Sequence, residues 1–171
     1  LLITGGSQGA RIFGHIVPEA VALLSPDLQK NLHITQQCRQ EFLKDTSARY
    51  EKTQTHVELS PFLDNMGTHY QKAHLIISRA GASSVLEPAL AGRPALFVPY
   101  PYAMDDHQFY NAQQAVNVGG GWVMRESEFS AEALATFLSD VIIFPWKLRD
   151  AAVNIQSIAR ADASAKLAEL L

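Results

Sequence analysis

Short apolar runs alternate with stretches of amphipathic helical period along almost the whole chain, and this alternation restricts the fold more than any other feature. Strands are predicted at Leu1–Thr4, Asn31–Gln36, His56–Leu59, His74–Ser78, Ala95–Val98 and Gly121–Met124. Between them lie helical patterns at Ala10–Leu24, Arg39–Glu51, Leu63–Gln71, Ser84–Ala91, Asp106–Val118 and Ala131–Asp140. Strand–helix repetition of this kind requires crossover connections, so the expected fold is α/β: a Rossmann-like, mostly parallel sheet with helices on both faces. Breakers fall between the elements, with Gly5-Gly6 after the first strand, Gly92-Arg93-Pro94 after the fourth helix and Gly119-Gly120-Gly121 after the fifth. Ser130 reads as an N-cap for the sixth helix, and Lys147 to Leu171 as one or two terminal helices.

The 171 residues fit one domain, with no internal repeat or low-complexity tract. Hydrophobic residues make up 47% and charged residues 18%, which excludes a disordered chain. A net charge of −3 without a basic run argues against nucleic acid as a partner. The single cysteine, Cys38, cannot form an internal disulfide and fits a reducing compartment. No apolar run approaches the ~18 residues of a spanning helix. The chain opens at Leu1 without a methionine and inside a strand, as a fragment of a longer protein would.

In a parallel sheet, ligands bind outside the carboxyl ends of the strands, and the glycine-rich and polar clusters of this sequence lie there. Gly81-Ala82-Ser83-Ser84-Val85-Leu86-Glu87 follows the strand His74–Ser78 and the turn Arg79-Ala80. Small residues leave the first N–H groups of the helix uncovered, which suits a phosphate or diphosphate. Glu87, about one turn further on, would repel phosphate but can accept hydrogen bonds from a diol such as a ribose. The combination points to a nucleoside diphosphate. A second reading stays open: Ser84-Val85-Leu86-Glu87 also has the form of a capping box.

Thr4-Gly5-Gly6-Ser7-Gln8-Gly9-Ala10-Arg11 is another glycine-rich strand-to-helix turn. It lacks both the G-x-G-x-x-G spacing and the G-K-[ST] of a P-loop. Arg11 can supply charge to a phosphate or sugar. Pro99 and Pro101 end the fifth strand, and the loop beyond leads to Asp105-Asp106-His107-Gln108. Adjacent residues on one helix do not converge on one ion, so no metal is expected. An aspartate N-cap would leave His107 and Gln108 in the first turn, and Gln108 offers donor and acceptor to sugar hydroxyls. Phe62-Leu63-Asp64-Asn65-Met66 reads as the start of the third helix with an apolar staple. Cys38 reads as a small buried filler. His15, His33, His56, His69 and His74 are scattered and carry no assignment.

Four segments occur in the order and approximate spacing of one enzyme family: Gly5–Arg11, Phe62–Met66, Arg79–Glu87, and Asp106-His107-Gln108 with Asn111-Ala112. Together they make the chain resemble the C-terminal half of the peptidoglycan N-acetylglucosaminyltransferases that convert lipid I into lipid II. The resemblance runs essentially from the first residue to the last. It implies the GT-B architecture, in which two Rossmann-like domains face each other and the C-terminal one holds UDP-N-acetylglucosamine. It implies inverting transfer to undecaprenyl-diphosphate-linked muramoyl-pentapeptide, with no cofactor or nucleotide-sugar metal, at the cytoplasmic face of the bacterial membrane as a peripheral protein. Carried over by position, Glu87 binds the ribose, and Ala82, Ser83 and Ser84 the diphosphate. Leu63 and Met66 pack around uracil, with the Leu63 backbone reading its edge, and Arg11, His107 and Gln108 face the diphosphate and sugar. The family often has a small residue and glycine after the second strand, where this chain has Cys38-Arg39, so no contact is carried to Cys38. The acceptor site and general base belong to the N-terminal half. Alternatives are a stand-alone donor-binding subunit of a two-chain enzyme, or another GT-B enzyme such as a UDP-sugar epimerase.

Overall fold

A computed structural model describes residues 1–6 and 10–159 of the chain. The strands are β1 (Leu2–Thr4), β2 (His33–Gln37), β3 (His56–Ser60), β4 (Ile76–Ser78), β5 (Ala95–Phe97) and β6 (Gly121–Val123). The helices are α1 (Arg11–Ala22), α2 (Pro26–Lys30), α3 (Leu43–Tyr50), α4 (Met66–Lys72), α5 (Ala82–Leu90), α6 (His107–Asn117), α7 (Ala131–Ile143) and α8 (Trp146–Ile155). One sheet of six strands runs in the order β3-β2-β1-β4-β5-β6, and every strand pair is parallel.

Successive residues of the central strands serve opposite cores, as the two-residue period of a strand requires. Ile3, Ile77 and Leu96 point to the face covered by α1 and α7, where they meet Phe13, Val17, Leu134 and Leu138. Leu2, Ile76 and Phe97 point to the other face, against Tyr70, Val85, Ala89, Ala112 and Ile155 of α4, α5, α6 and α8. β1, β4 and β5 are therefore buried throughout and read in sequence as short apolar runs, with polar Thr4 and Ser78 at the carboxyl ends of β1 and β4.

The breakers work by an identifiable mechanism. After α5, Gly92 adopts a positive φ of 62°; its N–H donates to Ala89 O, and the next N–H, from Arg93, donates to Pro88 O. After α6, Gly119 (φ 70°) repeats the arrangement, with Gly119 N donating to Val116 O and Gly120 N to Ala115 O. Both are Schellman caps, which satisfy terminal carbonyls and need a left-handed residue. Ser130 caps α7, accepting from Ala133 N at 3.1 Å.

Three expectations change. The short helix α2 was not anticipated, although Ser25 caps it and Pro26 stands in its first turn. α4 begins at Met66, because Asn65 turns left-handed (φ 52°) and leaves Leu63 in the preceding loop. Of the terminal segment, Trp146–Ile155 is helical, while 160–171 lies outside the described residues.

The turn from α6 to β6 packs against α8 so closely that a Cβ on Gly120 would lie 2.5 Å from the Ile155 Cα. Backbone cannot rotate away as a side chain can. Gly120→Ala is expected to lower stability by about 1–3 kcal/mol, measured by urea unfolding; an unchanged midpoint would contradict this packing.

Candidate functional site

The sheet order makes β1 and β4 neighbours while the chain leaves them in opposite directions. β1 is followed by α1 on one face of the sheet, and β4 by α5 on the other. A crevice opens at such a switch point, outside the carboxyl ends of the two strands. Thr4 and Ser78 are register partners there, so the turns that follow them, Gly5-Gly6 and Arg79-Ala80-Gly81, lie side by side. α1, from Arg11, and α5, from Ala82, begin beyond these two turns. Ser7, Gln8 and Gly9, the middle of the first turn, lie outside the described residues.

At α5 the N-cap is Gly81, in extended conformation and without a side-chain cap. Ala82 and Ser83 are exposed and Ser84 is half-buried, so the first N–H groups of the helix are open to a ligand. The capping-box reading fails here. Ser84 is the third residue inside the helix, and the Glu87 carboxylate accepts a hydrogen bond from Tyr70 OH at 2.8 Å instead of turning back to the helix end.

The turn before α5 is fastened from two sides. Gln108 Oε1 accepts from Ala80 N (3.2 Å) and Tyr100 N (3.0 Å), and Asn111 Nδ2 donates to Ala80 O (3.1 Å). Arg79 donates to the carbonyls of Val98 and Pro99, both at 3.2 Å, and pairs with Glu126 at 2.6 Å. Its guanidinium carbon lies 5.5 Å from the Phe13 ring centre and 5.4 Å from that of Tyr100. These bonds join the ends of β4 and β5 and the loop after β6 into one unit. They also correct one expectation: the oxygen of Gln108 is committed to backbone, and only its NH2 remains to face a sugar.

The other expected residues are distributed around this centre. Arg11 is exposed at the start of α1, 5.2 Å from the Phe42 ring centre. His107 Nδ1 lies 2.8 Å from Met104 O; a carbonyl only accepts, so Nδ1 carries a hydrogen. Asp106 occupies the N-cap of α6 with a left-handed backbone but makes no cap bond; its carboxylate pairs with Arg125 at 2.9 Å. Leu63 is 8% exposed and packs in the core. Met66 is half-buried beside it, and Phe62, 70% exposed, is the free apolar surface of this loop. Cys38 is buried, with its sulfur 3.3 Å from Thr46 Oγ1, and burial pushes its thiol up.

Sequence reasoning did not single out Arg79, Tyr70 or Asn111 as builders of the site. Arg79 carried a legible signal, since a charge directly after a buried strand needs a partner. Tyr70 carried none, because its partner is seventeen residues away on another helix.

A cavity of about 860 Å³ lies at the opposite, amino edge of the sheet, lined among others by His33, His56, His74, Arg93 and Leu138. It contains none of the candidate binding residues. Among the described residues, no group of three or more His, Cys, Asp or Glu is placed to hold a metal ion.

A parallel sheet of order 3-2-1-4-5-6, with helices leaving the switch point toward opposite faces, defines a Rossmann-like α/β domain. The sequence model of the glycosyltransferase family 28 C-terminal domain matches residues 1–167, and the chain belongs to that family. Over 171 residues it is 44% identical to the UDP-N-acetylglucosamine--N-acetylmuramyl-(pentapeptide) pyrophosphoryl-undecaprenol N-acetylglucosamine transferase of Gluconobacter oxydans, covering all of this chain and 47% of that protein. The protein of the same name from Rhodospirillum rubrum is 45% identical over 171 residues, 44% of its length. The crystal structure of Acinetobacter baumannii MurG superposes with a TM-score of 0.90 at 34% identity, over 99% of this chain and 48% of that one. A UDP-GlcNAc 2-epimerase from Neisseria meningitidis, bound to UDP-GlcNAc, shares the fold at a TM-score of 0.65 and 15% identity. The chain thus spans about half the length of the relatives it matches.

The Arg79–Glu126 pair tests the fastening of the turn. Arg79→Met leaves a largely buried carboxylate unpaired and is expected to cost about 3 kcal/mol, read by urea unfolding. Arg79→Met/Glu126→Gln should recover part of that loss. Equal stability of Arg79→Met and the parent chain would mean that the pair holds nothing in place.

Proposed function

We propose that this chain is the donor-binding half of an inverting N-acetylglucosaminyltransferase that uses UDP-N-acetylglucosamine to convert lipid I into lipid II. One observation carries the reading: an uncapped helix amino end at the switch point, with a carboxylate five residues along the same helix. Five residues advance about 7.5 Å along a helix axis, comparable to the distance from a nucleotide's diphosphate to its ribose hydroxyls. The N–H groups of Ala82, Ser83 and Ser84 suit the diphosphate, with the helix dipole adding positive potential. Glu87 suits the ribose diol, because a carboxylate only accepts and a diol donates twice. Arg11, across the crevice at the start of α1, supplies charge toward the phosphates. The loop of Phe62 and Leu63 sits beyond β3, on the side where the base would extend; there Leu63 and Met66, with the exposed Phe62 ring, pack around uracil and the Leu63 backbone reads its edge. His107 and the Gln108 NH2 face the sugar.

Relatives named as transferases to a pyrophosphoryl-undecaprenol acceptor, over twice as long as the matched region, support the remaining assignments. The acceptor groove and the general base are placed in the other half of the protein. The protein works peripherally at the cytoplasmic face of the membrane, where its lipid acceptor resides. No helix among the described residues is long and apolar enough to cross a membrane.

Isothermal titration of the folded chain with UDP is expected to show saturable binding, unaffected by chelator. Glu87→Gln should weaken it by about 1–3 kcal/mol, the worth of a hydrogen bond to a charged group, with little change in stability because glutamine can still accept from Tyr70. Binding that is absent, or indifferent to Glu87→Gln, would remove the reading. In an assay with radiolabelled UDP-N-acetylglucosamine and a lipid I analogue, the chain alone should give no transfer, since transfer needs an acceptor hydroxyl and a base held in reach. Turnover lost on His107→Ala would overturn that division of labour.

A further inference from the structure

We infer that Tyr70 is a positioning residue for ribose recognition: its phenol holds one oxygen of the Glu87 carboxylate so that the other is presented to the ribose diol. The inference rests on the proposed nucleoside diphosphate site and deepens it.

Three observations support it. Tyr70 is on α4 and Glu87 on α5, so their 2.8 Å hydrogen bond fixes a carboxylate relative to a second element of the fold. The ring of Tyr70 is packed into the core with Ala73, Ile76, Val85 and Ala89, so the hydroxyl is held on a rigid base and does not follow Glu87 about. Among the described residues Glu87 has no ion pair. Its negative charge is therefore available, not cancelled, while its orientation is set by a neutral donor. Burial and the neighbouring Glu87 push the Tyr70 phenol well above its ordinary range, so it stays a donor throughout the neutral region.

A carboxylate at the exposed surface of a helix otherwise samples several rotamers, and a ligand must select one of them at an entropic cost. With Oε2 bonded to Tyr70, that selection is made before the nucleotide arrives. Oε1 and the remaining lone pair of Oε2 are left to accept from the two ribose hydroxyls. The effect acts on the diol alone, because neither Tyr70 nor Glu87 is placed to touch the phosphates at the amino end of α5.

The test compares UDP with 2′,3′-dideoxy-UDP by titration calorimetry on the folded chain. Tyr70→Phe keeps the ring in the core and removes only the hydroxyl. It is expected to weaken UDP binding about three- to tenfold, the effect of losing one hydrogen bond, and to leave dideoxy-UDP affinity unchanged. In a Glu87→Ala background the same substitution should have no further effect on UDP. Equal weakening of both nucleotides, or of neither, would overturn the inference. Glu87→Asp provides a second route independent of Tyr70→Phe folding. It keeps the charge but withdraws the carboxylate from Tyr70, so ribose preference should fall, and full retention of that preference would also overturn the inference. A parent chain that ignores UDP altogether defeats the proposed function itself. A parent chain that prefers UDP to dideoxy-UDP, with a Tyr70→Phe variant that keeps the preference, defeats only the role of Tyr70.

Discussion

The parallel pairing of β1 with β4, in the register Thr4 to Ser78, is the constraint on which the rest depends. Neither strand follows the other in sequence, so each must reach the pair through a crossover, and the right-handedness of crossovers sends α1 and α5 to opposite faces. That division produces two cores from alternate residues of the same three-residue strands. Such a division is what opens a crevice outside the carboxyl ends of the two strands. The ligand site is therefore a consequence of topology before any polar residue is considered.

A gap alone does not recognise anything; the open amino end of α5 must be held in one place. Arg79 does this with hydrogen bonds to two carbonyls and an ion pair to one carboxylate. Gln108 and Asn111 of α6 do it by bonding the two peptide groups that flank the Ala80 Cα, one at its N–H and the other at its C=O. Side chains that resemble ligand contacts in sequence are, in this part of the molecule, substantially occupied in holding backbone. The N–H groups that remain are then pre-oriented, which lowers the entropic cost of binding an anion.

The sheet was legible in the sequence because buried parallel strands read as short apolar runs, and the helix ends because Gly92 and Gly119 act through a specific left-handed cap. The five-residue α2 was overlooked since it is too short to show a period, though Ser25-Pro26 announced its start. The Phe62–Met66 segment misled because an apolar staple and a loop with one buried leucine look alike until Asn65 is known to turn left-handed. The serine and glutamate of α5 fitted two motifs, and the helix start one turn earlier, with Glu87 bonded to Tyr70, separates them. Tyr70 and the occupied oxygen of Gln108 were out of reach in principle: both depend on contacts between distant segments.

The central claim is that the amino end of α5 at the β1–β4 switch point receives the diphosphate of a uridine nucleotide. Amide chemical shifts of the nitrogen-15-labelled chain, followed as UDP is added, address it directly. The expected result is a set of large, saturable shifts at Ala82, Ser83 and Ser84. Shifts confined to His33, His56 and His74 around the cavity at the opposite edge of the sheet, with 82–84 unmoved, would contradict it.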